Sequence, residues 1–65
     1  MITVNGERSD VAAGTSVETI VATLTPQRSG VAVALNDSVV PRAAWSATVV
    51  ADDDRLEVLT AVQGG

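Results

Sequence analysis

Apolar and polar residues alternate from the start of the chain. Ile2 and Val4 are set against Thr3 and Asn5, the period of a half-buried strand. Asn5-Gly6 follows directly, and this pair suits the positive φ angles of a tight hairpin turn. The pattern therefore predicts a return strand over Glu7 to Val11, more polar than the first and lying near a sheet edge. Ala12-Ala13-Gly14 breaks the alternation. Thr15-Ser16-Val17-Glu18 has capping-box spacing, in which the Thr15 hydroxyl accepts from the Glu18 amide and the Glu18 carboxylate reaches back to the Thr15 amide. Val17, Ile20, Val21 and Leu24 then fall at i, i+3, i+4 and i+7, one apolar stripe of a helix. That helix is short and rich in β-branched residues, so packing rather than propensity must hold it. Pro26 closes it at Leu24 or Thr25.

Strand periodicity resumes over Val31 to Leu35, with Val31, Val33 and Leu35 on one face and Ala32 and Ala34 on the other. Asn36-Asp37 turns the chain, and Val39-Val40 reads as a short strand ended by Pro41. Arg42 to Val50 lacks a period, and Trp45 within it is expected to cover one end of the core. Asp52-Asp53-Asp54 reads as an exposed turn, and Arg55 to Val62 as the last strand. In that strand Leu56, Val58, Thr60 and Val62 share one face, with Glu57, Leu59 and Ala61 opposite. The fold class is α+β: a mixed four- to five-stranded sheet with a single helix. One helix covers only one face of such a sheet, so the other face is open. The charge of Glu57 marks its own face as the open one, which places Leu59 there beside Ala32 and Ala34.

Composition narrows the chemistry by what it lacks. The 65 residues form one domain, and 22 of the 30 apolar ones are Val or Ala, leaving little room for a buried active-site cavity. Without His or Cys, the chain cannot build Cys/His zinc sites, Ser-His-Asp triads or Cys-His dyads. Without Lys, it has no Schiff-base chemistry and no side-chain amine acceptor. Four Arg against eight carboxylates give a net charge of −4, which disfavours nucleic acid and anionic membrane and favours a basic protein partner. No apolar run approaches the roughly 20 residues of a membrane span. A cytoplasmic chain, monomeric when free, is the expectation. Asp52 to Asp54 is expected as a solvated turn or a partner contact, and Trp45 as a packing residue or an interface anchor. The pairing of Arg42 and Arg55 stays open.

The last strand runs directly into Gln63-Gly64-Gly65. A carboxylate that must enter another protein's active site passes a narrow slot in extended form. Glycine lacks Cβ, so there the backbone approaches closely and takes φ values closed to other residues. Residues 63–65 are therefore expected as a flexible tail, with Gly65 carrying the reactive carboxylate. Gly64, Gln63, Val62 and Leu59 are the expected partner-binding residues.

Several segments together resemble the ThiS family of small β-grasp sulfur carriers of thiamine thiazole synthesis, within the wider ubiquitin-like group. They are Val4-Asn5-Gly6-Glu7, Val31-Ala32-Val33-Ala34-Leu35-Asn36, Val39-Val40-Pro41-Arg42 with Trp45, Asp52, Asp54-Arg55, Glu57-Val58, and Thr60-Ala61-Val62-Gln63-Gly64-Gly65. The Pro-Arg-x-x-Trp segment and the Ala-Val-Gln-Gly-Gly end are the specific ones. ThiS-like chains often have Gly where this one has Asp37 and Asp53, and Asp tolerates left-handed backbone better than most residues. The resemblance implies a single β-grasp domain over residues 1–65 that is a carrier and not an enzyme. A ThiF-type adenylyltransferase would activate Gly65 with ATP, a sulfur donor would convert it to a thiocarboxylate, and the ThiG thiazole synthase would accept the sulfur. No cofactor is bound by the carrier itself; the ATP is used by the partner enzyme. The alternatives are a molybdopterin-type, MoaD-like carrier, or a ubiquitin-like binding module that does not use its terminus.

Overall fold

Asn5 (φ 52°) and Gly6 (φ 83°) both take left-handed backbone, as the tight hairpin turn between the first two strands requires. The computed structural model describes residues 1–26 and 30–60. Strand β1 (Ile2–Val4) pairs antiparallel with β2 (Glu7–Ser9), Ile2 facing Ser9 and Val4 facing Glu7. β2 stops at Ser9, short of the expected Val11, because β1 begins at Ile2 and offers no partner beyond it. The other strands are β3 (Val31–Leu35), β4 (Ser38–Val39) and β5 (Arg55–Thr60). They complete one sheet in the order β2-β1-β5-β3-β4, in which only β1 and β5 run parallel. The expected mixed sheet is present, with five strands.

Helix α1 (Val17–Leu24) lies on one face, and its start differs from the expected capping box. The cap is Ser16, whose Oγ accepts from the Thr19 amide at 3.1 Å. The amide of Glu18 goes instead to the Trp45 carbonyl, and that of Thr15 to Ala12, both at 3.2 Å. The shift has a tertiary cause. Ser16 bridges to Val49 and is held extended, so helical backbone begins one residue later. The Val17 amide donates to the Thr48 carbonyl at 2.8 Å, so the loop over 45–48 and Ser16 together satisfy the first three helical amides.

Ile2, Val17, Ile20, Val21, Val33, Val40, Trp45, Val50, Leu56 and Val58 form the core between α1 and the sheet. Leu24, expected as the fourth member of the helical stripe, is 49% exposed. Its turn stands over the narrow β1–β2 hairpin, where it lines an open groove with Val4, Glu7 and Ser9. After β4 a 3₁₀ turn (Arg42–Ala44) carries the chain to Trp45. Trp45 is buried and its Nε1 donates to the Val40 carbonyl at 3.0 Å, so it is a packing residue. The short strand is Ser38–Val39 rather than Val39-Val40, because Val40 turns its side chain into the core while its amide still bonds Val33 at 2.8 Å.

Asp37 (φ 71°) and Asp53 (φ 68°) both occupy the left-handed region, the conformation a glycine would take without cost. Asp54 organises the acidic turn: it accepts from the Asn36 side chain at 3.0 Å and from the Ala51 amide at 2.7 Å. Those two bonds, Asn36 first, hold its carboxyl below the ordinary value of 3.8. Arg55 reaches Asp37 at 2.8 Å in a solvent-exposed pair, a geometry that contributes little stability. The expected tail over 63–65, and Val62 as the end of the last strand, lie outside the described residues.

Ser16→Ala is expected to lower the free energy of unfolding by about 1 kcal/mol, read from a denaturant titration. Asp54 has a folded pKa depressed from 3.8, so its contribution is complete above that value and is lost as pH falls through it toward the folded pKa. Unfolding midpoints taken from neutral pH down to about pH 3 should therefore fall less steeply for Asp54→Asn than for the wild type.

Candidate functional site

The strand that leads toward the terminus is the central one. β5 runs parallel to β1, with Thr3 opposite Arg55 and Val4 opposite Leu56. On its other edge it runs antiparallel to β3, from Leu35 opposite Leu56 to Val31 opposite Thr60. Its alternation follows the expected parity. Leu56 and Val58 are buried against α1, while Glu57 and Leu59 face out. Thr60, expected on the buried face, is exposed, since the covered area ends at Val58.

Leu59 is 68% exposed and lies opposite Ala32, while Glu57 lies opposite Ala34. Ala34 in turn faces Val39 of β4, which is 79% exposed. Residues opposite one another in a ladder share a sheet face, so Leu59, Ala32, Ala34 and Val39 make one apolar strip across the open side. Arg55 and Glu57 share the face, placing one charge of each sign beside the strip. Val39 was not expected in this group. The Val-Val pair at 39–40 conceals which member points out, and only the register with Ala34 decides it.

Two hairpin asparagines hold β5 at its edges, and the sequence identifies them only as turn formers. Asn36 (φ 51°) donates its amide to the Arg55 carbonyl at 2.7 Å, and its Oδ1 accepts from the Arg55 amide at 2.9 Å. On the opposite edge, Asn5 donates its amide to the Leu56 carbonyl at 2.9 Å, and its Oδ1 accepts from the Val58 amide at 2.8 Å.

Of the expected site residues, Leu59 is where parity places it. Val62, Gln63, Gly64 and Gly65 lie outside the described residues. Among the described residues no group of three carboxylates is gathered as a metal site would need. Nor is any helix among them long and apolar enough to cross a membrane.

The family model for ThiS matches residues 2–65. The chain belongs to the ThiS family. It is 31% identical over 61 residues to the sulfur carrier protein ThiS of Escherichia coli (strain K12), covering 94% of this chain and 92% of that protein. The fold agrees with the family's. A crystal structure of the thiamine biosynthesis protein ThiS from Geobacter metallireducens superposes with a TM-score of 0.77 at 38% identity, over 98% of this chain and 97% of that one. A solution structure of a thiamine biosynthesis protein from the same organism gives 0.78 at 36% identity, over 98% and 86%. The single helix on a mixed five-stranded sheet is thus the β-grasp of the ThiS family.

The two faces of β5 are expected to respond oppositely to charge. Leu59→Asp should leave the thermal midpoint within a few degrees of wild type, since it replaces an exposed side chain. Val58→Asp places an unpaired carboxylate in the core and should unfold the domain, as circular dichroism during heating would record.

Proposed function

We propose that this protein is the sulfur carrier of thiamine thiazole formation and that Gly65 holds the sulfur. The observation that carries the reading is the ThiS-family match, which extends through the Ala-Val-Gln-Gly-Gly segment to residue 65. That same match favours this function over molybdopterin-type carriage and over a binding module indifferent to its terminus.

The chemistry follows from a glycine carboxylate and two partners. In a ThiF-type adenylyltransferase the Gly65 carboxylate attacks the α-phosphorus of ATP and pyrophosphate leaves, giving a mixed anhydride with AMP. Sulfide released from a donor then attacks the activated carbonyl, AMP departs with the carbonyl–oxygen bond broken, and the terminus becomes a thiocarboxylate. The ThiG thiazole synthase takes the sulfur from there. The carrier is substrate in each step, and the catalytic groups belong to its partners. Its own sequence supports that division of labour, since with no Cys or Lys it has no thiol or side-chain amine to capture the activated terminus internally. The carrier binds no cofactor of its own, works as a monomer between encounters, and belongs to the cytoplasm with its partners.

Gly64 and Gln63 serve as the slender approach to the partner's slot, and Val62 and Leu59 as the grip behind it. An enzyme that draws in the tail presses on the sheet beside it, and the exposed Leu59 with Ala32 and Val39 offers a flat apolar floor at that place. The net charge of −4 draws a basic partner face toward it.

Intact-mass spectrometry after incubation with ATP, a ThiF-type enzyme and a sulfur source should show the mass gain of one oxygen replaced by sulfur. Deletion of Gly65 should abolish that gain without unfolding the domain, and Gly64→Val should abolish it by obstructing the slot. Normal conversion of the truncated chain would move the chemistry elsewhere.

A further inference from the structure

We infer that Asn5 is a positioning residue, whose side chain keeps the outgoing end of β5 in the sheet so that Leu59 and the tail are presented to the activating enzyme together. The inference rests on the sulfur-carrier reading and adds a residue to it.

The geometry distinguishes Asn5 from an ordinary turn residue. β1 pairs with β5 only as far as Val4 opposite Leu56, after which the chain turns away into β2. The Val58 amide on that edge therefore lies beyond the last residue of β1. Asn5 Oδ1 accepts from it at 2.8 Å, joining residues 53 apart in sequence and standing in for the strand that has ended. The Asn5 backbone amide holds the Leu56 carbonyl at 2.9 Å, so a single residue secures two successive positions on one edge of β5. On the other edge, β3 pairs as far as Val31 opposite Thr60. Without Asn5 Oδ1, β3 alone among the described residues holds the stretch from Val58 to Thr60.

Position along the strand matters here. Asn36 makes a closely similar clamp on the opposite edge, but at Arg55, where β5 begins. Asn5 acts at Val58, directly before the exposed Leu59. Fraying from Val58 releases Leu59 from the open face, and a partner must then restore the strand as it binds. That ordering raises the concentration of carrier needed without altering the reacting carboxylate. The two hairpin asparagines thus provide an internal control, although Asn36 also bonds Asp54: both support the fold, and only one sits at the delivery end.

The test measures pyrophosphate release by a ThiF-type adenylyltransferase on the full chain. Asn5→Gly keeps the left-handed turn, because glycine adopts φ 52° freely, and removes the acceptor. It should raise KM about fivefold, the worth of one typical hydrogen bond, with kcat within about twofold. Amide exchange at Val58 should quicken relative to Val33. Asn5→Asp restores an acceptor on a residue that tolerates this backbone and should return KM close to wild type. Asn36→Gly, which breaks the clamp at the other end, should leave KM within about twofold of wild type.

A wild-type KM for a folded Asn5→Gly chain would overturn the inference. So would an equal rise for Asn36→Gly, or unfolding of Asn5→Gly alone, because each makes Asn5 a stability residue. A wild-type chain that is not adenylated would instead overturn the sulfur-carrier reading, and the delivery role with it.

Discussion

β5 is hydrogen-bonded along both of its edges, and every other element takes its place from it. β1 binds one edge in parallel and β3 the other antiparallel, so the β1–β2 and β3–β4 hairpins, at opposite ends of the sheet, are joined through this strand. Leu56 and Val58 carry the contact with α1 on one side, while Leu59 stands on the other. A strand secured on two edges and one face has little freedom left in direction. That constraint fixes where the exposed Leu59 stands on the open face.

The core that supports this arrangement is made from small side chains. Val and Ala dominate the apolar residues, and Trp45 supplies the one large ring, buried with its indole N–H satisfied by the Val40 carbonyl. A domain of 65 residues with such a core depends on backbone closure as much as on area buried. The loop around Trp45 serves both needs. It fills the end of the core and also provides the carbonyls of Trp45 and Thr48 that receive the first amides of α1. A short, β-branched helix is stabilised in this way by tertiary contacts rather than by its own propensity.

The division between covered and open faces links fold to function. Among the described residues no charged side chain is buried in the core, and the open side gathers Leu59, Ala32, Ala34 and Val39 into one apolar strip. The acidic turn contributes charge to the surface while Asp54 is committed to bonds with Asn36 and Ala51.

Much of this was legible in the sequence because its signals are local. The period of two in Ile2 to Val4, Val31 to Leu35 and Arg55 to Thr60 marked the strands and sorted Leu59 from Leu56 and Val58. The Asn-Gly pair marked the first hairpin, and Pro26 the end of the helix. The Ala-Val-Gln-Gly-Gly ending, a short motif read without any structure, pointed to the chemistry. The remaining features were decided by neighbours distant in the chain. Ser16 displaced Thr15 as the helix cap because Val49 holds it extended, and Leu24 stayed exposed because the sheet beneath it narrows to a hairpin. Val39 joined the open face through its register with Ala34, and Asn5 became a clamp because β1 ends one step before Val58 needs a partner. Periodicity records which way a side chain points along its own strand. Which strand ends first, and what then takes its place, is settled only when segments some fifty residues apart compete for the same hydrogen bonds.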